Sequence, residues 1–414
     1  MGSIAAEAIA RQPDITYTPD FAKYQARTHL RLQTETLSQT GLPSGYPQHL
    51  VSDLVWEGEG LAQKYDWIYK LTAEQIEELE NALTHFKSLG KPMGYINEEN
   101  FPLPNLHAAL REISKELHFG YGFKVVRGLP VERHSREDNI IIYAGLSSHI
   151  APLRARQDSK YDEKPADVVL NHIKDLSSGH EKAQIGTPAY TADKQVFHTD
   201  TGDIVSLFAL STAVDGGRSR LASTWKVYNE LAATRPDLIE TLSQDWIADN
   251  FGNANQSYTT RPLLFFQPAT TKSPERIILQ YARRYFTGFG ALPRSTEIPP
   301  ITEAQAEALD AIHFLGERFN VGLDFQRGDA QYVNNLAVFH ARDGFKDSAE
   351  QQRHLVRLWL RDPEYAWETP EPLKAKWAQL YDGVTPDSQV FPLEPFVRSA
   401  SKGIEKGKAE SGSA

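Results

Sequence analysis

Apolar and polar positions keep one rhythm over the first third of the chain and another over the rest. Ile76, Leu79, Leu83 and Phe86 recur at helical spacing and stop before Gly90. Thr72 precedes them with Gln75 three residues on, the pattern of a capping box, so a helix is expected to start there. A second helix is expected over about 106–118, and a third after Ser135 through Ile140, Tyr143 and Leu146. Between them GYGFKVVRG, residues 120–128, reads as a short strand punctuated by glycine. From about residue 150 short strand-like runs alternate with Gly, Pro and Asn, at 167–173, 195–198, 203–210, 276–281, 331–333, 336–340 and 353–361. Helical inserts are expected at 227–242 and 303–319. Asn334-Asn335 between two apolar runs reads as a hairpin turn, which would put His340 at a strand end. Helices followed by a strand-rich body predict an α+β chain with a β-sandwich or jelly-roll core.

The ends carry less pattern. Residues 1–70 are rich in Thr, Pro, Gln and Gly with little periodicity and read as an extended arm. Residues 71–398 read as a single domain with its β core at about 120–362. The polar stretch from Ser399 onward is expected to be disordered.

Composition narrows the chemistry. The 414 residues are 40% hydrophobic and 24% charged, with 7 Trp, 17 Tyr and 19 Phe, the profile of a globular protein long enough to bury a core. A net charge of −10 argues against a general nucleic-acid binder, which needs a basic face for phosphate. It leaves room for a local basic pocket around a small anion. There is no cysteine, so disulfides, thiolate nucleophiles, zinc–thiolate and iron–sulfur sites are excluded. Any metal must rest on His, Asp, Glu or backbone, which favours Fe(II), Mn(II) or Zn(II). The opening MGSIAAEAIARQPDITYTPD lacks the basic and apolar segments of a secretory signal. No apolar run is long enough to predict a membrane span, and the cytoplasm is the expected compartment.

Candidate chemistry begins at His198-Thr199-Asp200. In extended backbone, residues i and i+2 share a face, so His198 and Asp200 can reach one ion. Alone the pair is a weak signal, because 13 His and 54 acidic residues in 414 produce roughly two such matches by chance. A polar strand end explains it equally well. Further along, His340 closes an apolar run, and thirteen residues later Arg353 begins the alternating RHLVRLWLR. A third ligand followed by an arginine on a neighbouring strand suits a metal with a carboxylate cosubstrate, because guanidinium is an always-charged fork for carboxylate. Two His and one carboxylate on one face of an ion leave the other face open.

The ordered set His198-x-Asp200, His340 and Arg353 resembles the taurine dioxygenase-like (TauD/TfdA) family of Fe(II)/2-oxoglutarate-dependent dioxygenases. Val126-Arg-Gly-Leu-Pro130, Gly216-Gly217-x-Ser219 and Gly328-Asp329 with Asn335 fit the same family, and phrases such as Ala222-Ser-Thr-Trp look similar to a fungal branch of it. The resemblance runs over roughly 95–362. It implies a double-stranded β-helix with Fe(II) on His198, Asp200 and His340. It also implies 2-oxoglutarate with its distal carboxylate on Arg353 and on Ser219, which stands where the family has a Thr. Arg357 matches a second family arginine that holds an anionic group of the substrate, and His172 falls where the family can place a substrate-contacting histidine; an ordinary packed histidine explains His172 as well. The expected reaction oxidises a small, carboxylate-bearing molecule by hydroxylation, desaturation or ring closure while 2-oxoglutarate and O2 become succinate and CO2. Asp200 argues against halogenation, which needs a small residue there. The alternative is a non-oxidative metalloenzyme or a metal-dependent small-molecule binding protein on the same fold. Neither nucleic acid nor membrane is an expected partner, and association into a homo-oligomer is left open.

Overall fold

Two sheets laid face to face, antiparallel except where one edge strand of the larger joins its neighbour in parallel, position everything that follows. The computed structural model describes residues 11–402 apart from 36, 38–40, 180–183, 252–255 and 272. Within the stretch predicted to be an extended arm it places helix α1 (Phe21–Thr34) and strand β1 (Ile68–Lys70). Then come α2 (Ala73–Ser88) with its Thr72–Gln75 capping box, α3 (His107–Phe119), β2 (Phe123–Arg127), α4 (Arg136–Ile150) and β3 (Leu153–Arg154). The run predicted at 167–173 is two strands, Lys164–Val168 and β4 (Leu170–Lys174). Next are β5 (Gln195–His198), β6 (Ile204–Ser211) and β7 (Ser219–Ser223). The insert predicted at 227–242 is also two elements, α5 (Thr224–Thr234) and α6 (Pro236–Ser243). Pro236 has no N–H to continue the first helix but suits the first turn of the second. The chain ends with α7 (Glu303–Phe319), β8 (Val321–Leu323), β9 (Asp329–Asn334), β10 (Val338–Arg342), β11 (His354–Arg361) and α8 (Glu371–Tyr381).

The larger sheet has the order β1-β2-β9-β6-β11-β3, with β4 also on β11; the smaller is β8-β7-β10-β5. This is an α+β double-stranded β-helix, or jelly roll. β9 pairs with β2 and β6, whereas β10 pairs with β7 and β5. The expected hairpin at Asn334-Asn335 is therefore a crossing from one sheet to the other, and His340 lies in the middle of β10 rather than at its end.

Alternation sorts the side chains. On β6 and β11, Ile204, Phe208, Leu210, Val356, Leu358 and Leu360 face the helices and pack with Ile140 and Tyr143 of α4. Their neighbours Val205, Leu207, Ala209, Leu355 and Trp359 face the other way. Each such buried side chain contributes about 1.5–3 kcal/mol of hydrophobic free energy.

α1 docks differently. Arg31 is its buried residue and pairs with Glu307 of α7, while Arg27 pairs with Asp310 at 2.7 Å. Arg235 and Arg283 add further cations to the same two acids. At the far end, Ser399–Ser401 forms a 3-10 turn and Lys402 bridges Ile185, so these four residues of the predicted disordered tail are ordered. Residues 403–414 lie outside the described residues. Among the described residues no helix is long and apolar enough to cross a membrane.

Candidate metal centre and its arginine wall

His198 and His340 are direct cross-strand partners on β5 and β10, with ring centroids 4.2 Å apart. Asp200 follows two residues beyond His198, in the turn after β5. One ligand atom from each of the three lies within 4.8 Å of the others, and His198 Nε2 is 3.8 Å from Asp200 Oδ1. That spacing is too long for hydrogen bonds and short enough to share one ion.

His198 and Asp200 are held from behind, whereas His340 Nδ1 is buried without a hydrogen-bond partner. His198 Nδ1 is 2.9 Å from the Val196 carbonyl, so this nitrogen carries the proton and Nε2 presents its lone pair. Gln195 Nε2 lies 3.0 Å from that Nε2, on the side an ion would occupy. The Asp200 amide donates to Asn335 Oδ1 at 2.8 Å, and Asn335 Nδ2 donates to the carbonyls of Asp200 and Gly202 at 2.7 and 2.8 Å. Asp200 Oδ2 accepts from Arg357 Nη1 at 2.8 Å and Trp359 Nε1 at 3.0 Å, which leaves Oδ1 for the centre. Tyr281 donates its hydroxyl to the Phe197 carbonyl at 2.6 Å. α7 packs against both ligand strands at Gly316, where a Cβ would come within 2.7 Å of Phe339 and 3.0 Å of Phe197.

Electrostatics keep the three groups in ligand form. Burial pushes the His198 imidazole down and, with His198 beside it, pushes His340 down to about 3. Burial works to raise the Asp200 carboxyl, but the Arg357 guanidinium, with the Trp359 hydrogen bond, outweighs it and holds it well below the usual carboxylate range. The structure therefore brings together two neutral imidazoles and one ionised carboxylate.

Arg353 and Ser219 line the same cavity, beside an apolar wall of Ile173, Leu207, Phe325 and Leu355. Arg353 Nη1 is buried without a hydrogen-bond partner, and the guanidinium sits 5.4 Å from the Phe345 ring centroid. Burial and the nearby Arg342 lower it to about 9. Gly217, at φ +69, makes room: a Cβ there would stand 3.1 Å from Arg353 Nε. Ser219 Oγ donates to Gln331 Oε1 at 2.9 Å.

Arg357 also lines this cavity, but the separate anion site expected for it is only partly present. Nη1 is committed to Asp200, Nε donates to Gln157 Oε1 at 2.9 Å, and Nη2 alone is buried without a partner. His172 is a clear correction. It lies on the opposite face of β4 from the cavity-lining Ile173, with Nδ1 2.7 Å from His354 Nε2 and Nε2 2.8 Å from the Pro392 carbonyl. It is a packing residue.

Arg342, Trp359 and Gln331 carry no role in the sequence pattern. Arg342 lines the cavity two residues after His340, and its Nη2 donates to the carbonyls of Pro188, Thr191 and Asp193. Asn335 belongs to a family motif, yet its spacing alone points to a turn rather than to the backbone of Asp200.

Facing sheets with a two-histidine, one-carboxylate cluster between them and arginines alongside define a class of metal-dependent oxygenase folds. The model of the "Taurine catabolism dioxygenase TauD, TfdA family" matches residues 85–359, and the chain belongs to that family. It is an Fe(II)/2-oxoglutarate-dependent dioxygenase. It is 34% identical over 339 residues to the "Taurine hydroxylase-like protein SAT17" of Stachybotrys chartarum (strain CBS 109288 / IBT 7711), covering 80% of this chain and 85% of that one. It is 22% identical over 310 residues to the "FR-33289 synthase" of Streptomyces rubellomurinus (strain ATCC 31215), covering 74% and 88%. Among solved structures, asparagine oxygenase with Fe(II), 2S,3S-3-hydroxyasparagine and succinate superposes with a TM-score of 0.52 at 15% identity, over 72% of this chain and 94% of that one. A variant of the non-heme iron oxygenase OrfP with (3S)-hydroxy-L-Arg gives 0.52 at 13% identity, over 78% and 99%.

Proposed function

We propose that His198, Asp200 and His340 hold the Fe(II), that Arg353 and Ser219 take the distal carboxylate of 2-oxoglutarate, and that the enzyme oxidises a small carboxylate-bearing molecule. Hydroxylation, desaturation and oxidative cyclisation all belong to this reading. Amino acids are the first substrate class to test, because the two similar structures are complexes with hydroxylated amino acids. The observation that carries the reading is Arg353, a buried guanidinium with an unpartnered nitrogen in the same cavity as the three ligands. An uncompensated buried charge costs several kcal/mol, so a fold that keeps one is built around an anion.

Bound Fe(II) supplies the capacity to activate O2. The chain does the rest. Val196 and Asn335 orient His198 and Asp200; Arg357 and Trp359 keep Asp200 ionised with one oxygen turned inward. The apolar wall excludes water from the oxidising centre. Arg357 Nη2 is the donor left over for a substrate carboxylate.

The test is anaerobic addition of Fe(II) and 2-oxoglutarate, followed by a panel of amino acids and small carboxylic acids. A substrate should perturb the weak visible band and, with O2, yield succinate in step with product. Full metal binding by both His198→Ala and Asp200→Ala would overturn the ligand assignment. Unchanged turnover and KM for 2-oxoglutarate in Arg353→Ala would overturn the assignment of the distal carboxylate to Arg353.

A further inference from the structure

A second cluster of two imidazoles and a carboxylate lies on the helical layer, away from the cavity. His107 opens α3, His149 stands in the last turn of α4, and Glu98 lies in the turn before α3. One ligand atom from each falls within 4.8 Å of the other two. His107 Nδ1 and His149 Nδ1 face each other at 2.9 Å, with ring planes at 72°. His149 Nε2 is 2.8 Å from the Phe101 carbonyl, so its proton sits on Nε2 and its Nδ1 lone pair points at His107. A backbone carbonyl fixing the rear nitrogen of an imidazole is the usual support of a metal-ligating histidine. Two nitrogens at about 2.0–2.1 Å from one tetrahedral ion are roughly 3.3 Å apart, so the two rings need to open only slightly to admit one.

Carboxylates and one guanidinium surround the pair: Arg111 Nη1 donates to the Ile150 carbonyl at 3.0 Å and reaches that of His149 at 3.5 Å. Glu98 forms no hydrogen bond or ion pair with either ring among the described contacts, although its carboxylate is close enough to act on the charge of His149. Glu78 acts on His149 as well; its Oε1 accepts from the Asn105 amide at 2.7 Å, while its Oε2 is buried with no partner. Glu74 and Glu77 line the groove that Glu78 and Asn105 share. Two imidazole nitrogens face to face, with a carboxylate oxygen within 4.8 Å that bonds neither ring, offer three donors to one cation.

We propose that Glu98, His107 and His149 bind a divalent cation of the borderline class, Zn(II) or Co(II), which ties the start of α3 to the end of α4. The nitrogen and oxygen donors, with no thiolate available in the chain, suit that class. The role is structural, because α4 packs its other faces against the larger sheet and none of the three residues lines the cavity of the inner cluster.

The test uses Co(II) as probe and full-length protein. In His198→Ala/Asp200→Ala, which removes the inner cluster, Co(II) titration should still show one equivalent with a visible ligand-field band. That equivalent should disappear on adding His107→Asn, and should weaken at least tenfold on adding the exposed substitution Glu98→Gln. In otherwise unaltered protein, His107→Asn should lose one of two equivalents while 2-oxoglutarate turnover with Fe(II) persists. Thermal melting with and without Co(II) checks that each variant is folded; the shift given by the metal should vanish with His107→Asn. No Co(II) uptake by the inner-cluster double variant, or uptake indifferent to both His107→Asn and Glu98→Gln, would overturn the proposal and leave a simple imidazole–imidazole hydrogen bond. Failure of the inner-cluster assignment would show separately, as Co(II) stoichiometry unchanged by His198→Ala/Asp200→Ala.

Discussion

Two buried histidine pairs invite comparison, His198 with His340 and His172 with His354. Both join antiparallel neighbours, with ring centroids 4.2 and 5.0 Å apart, and in all four rings burial is the first cause of a lowered pKa. They differ in what faces them. The first pair meets an ionised carboxylate and the cavity arginines; in the second, His172 Nδ1 and His354 Nε2 meet at 2.7 Å and His172 Nε2 is committed to the Pro392 carbonyl at 2.8 Å. Burial makes a histidine neutral and so ligand-competent, but a carboxylate within ligand distance of the same ion makes it part of a ligand set. Position on the strand decides which: Arg353 and His354 are adjacent, and only Arg353 lines the cavity.

Substitutions can break this contrast. His198→Ala should abolish Fe(II) binding and succinate formation, at least a 100-fold loss of turnover measured under saturating 2-oxoglutarate. Arg353→Ala should raise the KM for 2-oxoglutarate about 100-fold, the worth of a charge-assisted contact, with Fe(II) affinity unchanged. Asn335→Ala, which releases the backbone of Asp200, should weaken Fe(II) about 10–100-fold in an anaerobic titration. His172→Asn should leave metal affinity and KM alone and cost about 1–3 kcal/mol of stability, read from chemical denaturation.

The smallest effect is one of pH. His172 and His354 are pushed by burial to about 4 and about 3, from 6.5. As pH falls from 6.5 through about 4, the unfolded chain takes up protons that the native state refuses, so stability falls over that window. Replacing His354 with Asn should flatten this slope in a series of melting curves; an unchanged slope would mean that the pair does not stay neutral in the fold.

The parts of the fold that announce themselves are those held by apolar periodicity or local caps. α7 at 303–319 and the Thr72 capping box are read from sequence because their signals lie within one turn. α1 is missed because it docks by arginines: Phe21, Leu30 and Leu32 are exposed, and Arg27 and Arg31 do the anchoring. The hairpin at Asn334-Asn335 is misread because two strands and a polar turn look the same whether they pair or part; the partners that separate them, β2 and β7, lie far off in sequence. The ordered His-x-Asp, His and Arg words are brought into one cavity. The bracing of Asp200 by Trp359 and Asn335 is a tertiary fact with no local trace, as is the retreat of His172 to the helix-facing side.

α1 has one more consequence. Arg27 and Arg31 are part of what neutralises Glu307 and Asp310, and those acids ride on the helix whose Gly316 rests against Phe197 and Phe339. A polypeptide starting after residue 35, through alternative initiation or proteolytic trimming, would keep every residue of the cavity. It would leave Glu307 to Arg235 and Asp310 to Arg283, with half of their cations gone from the helix behind His198 and His340.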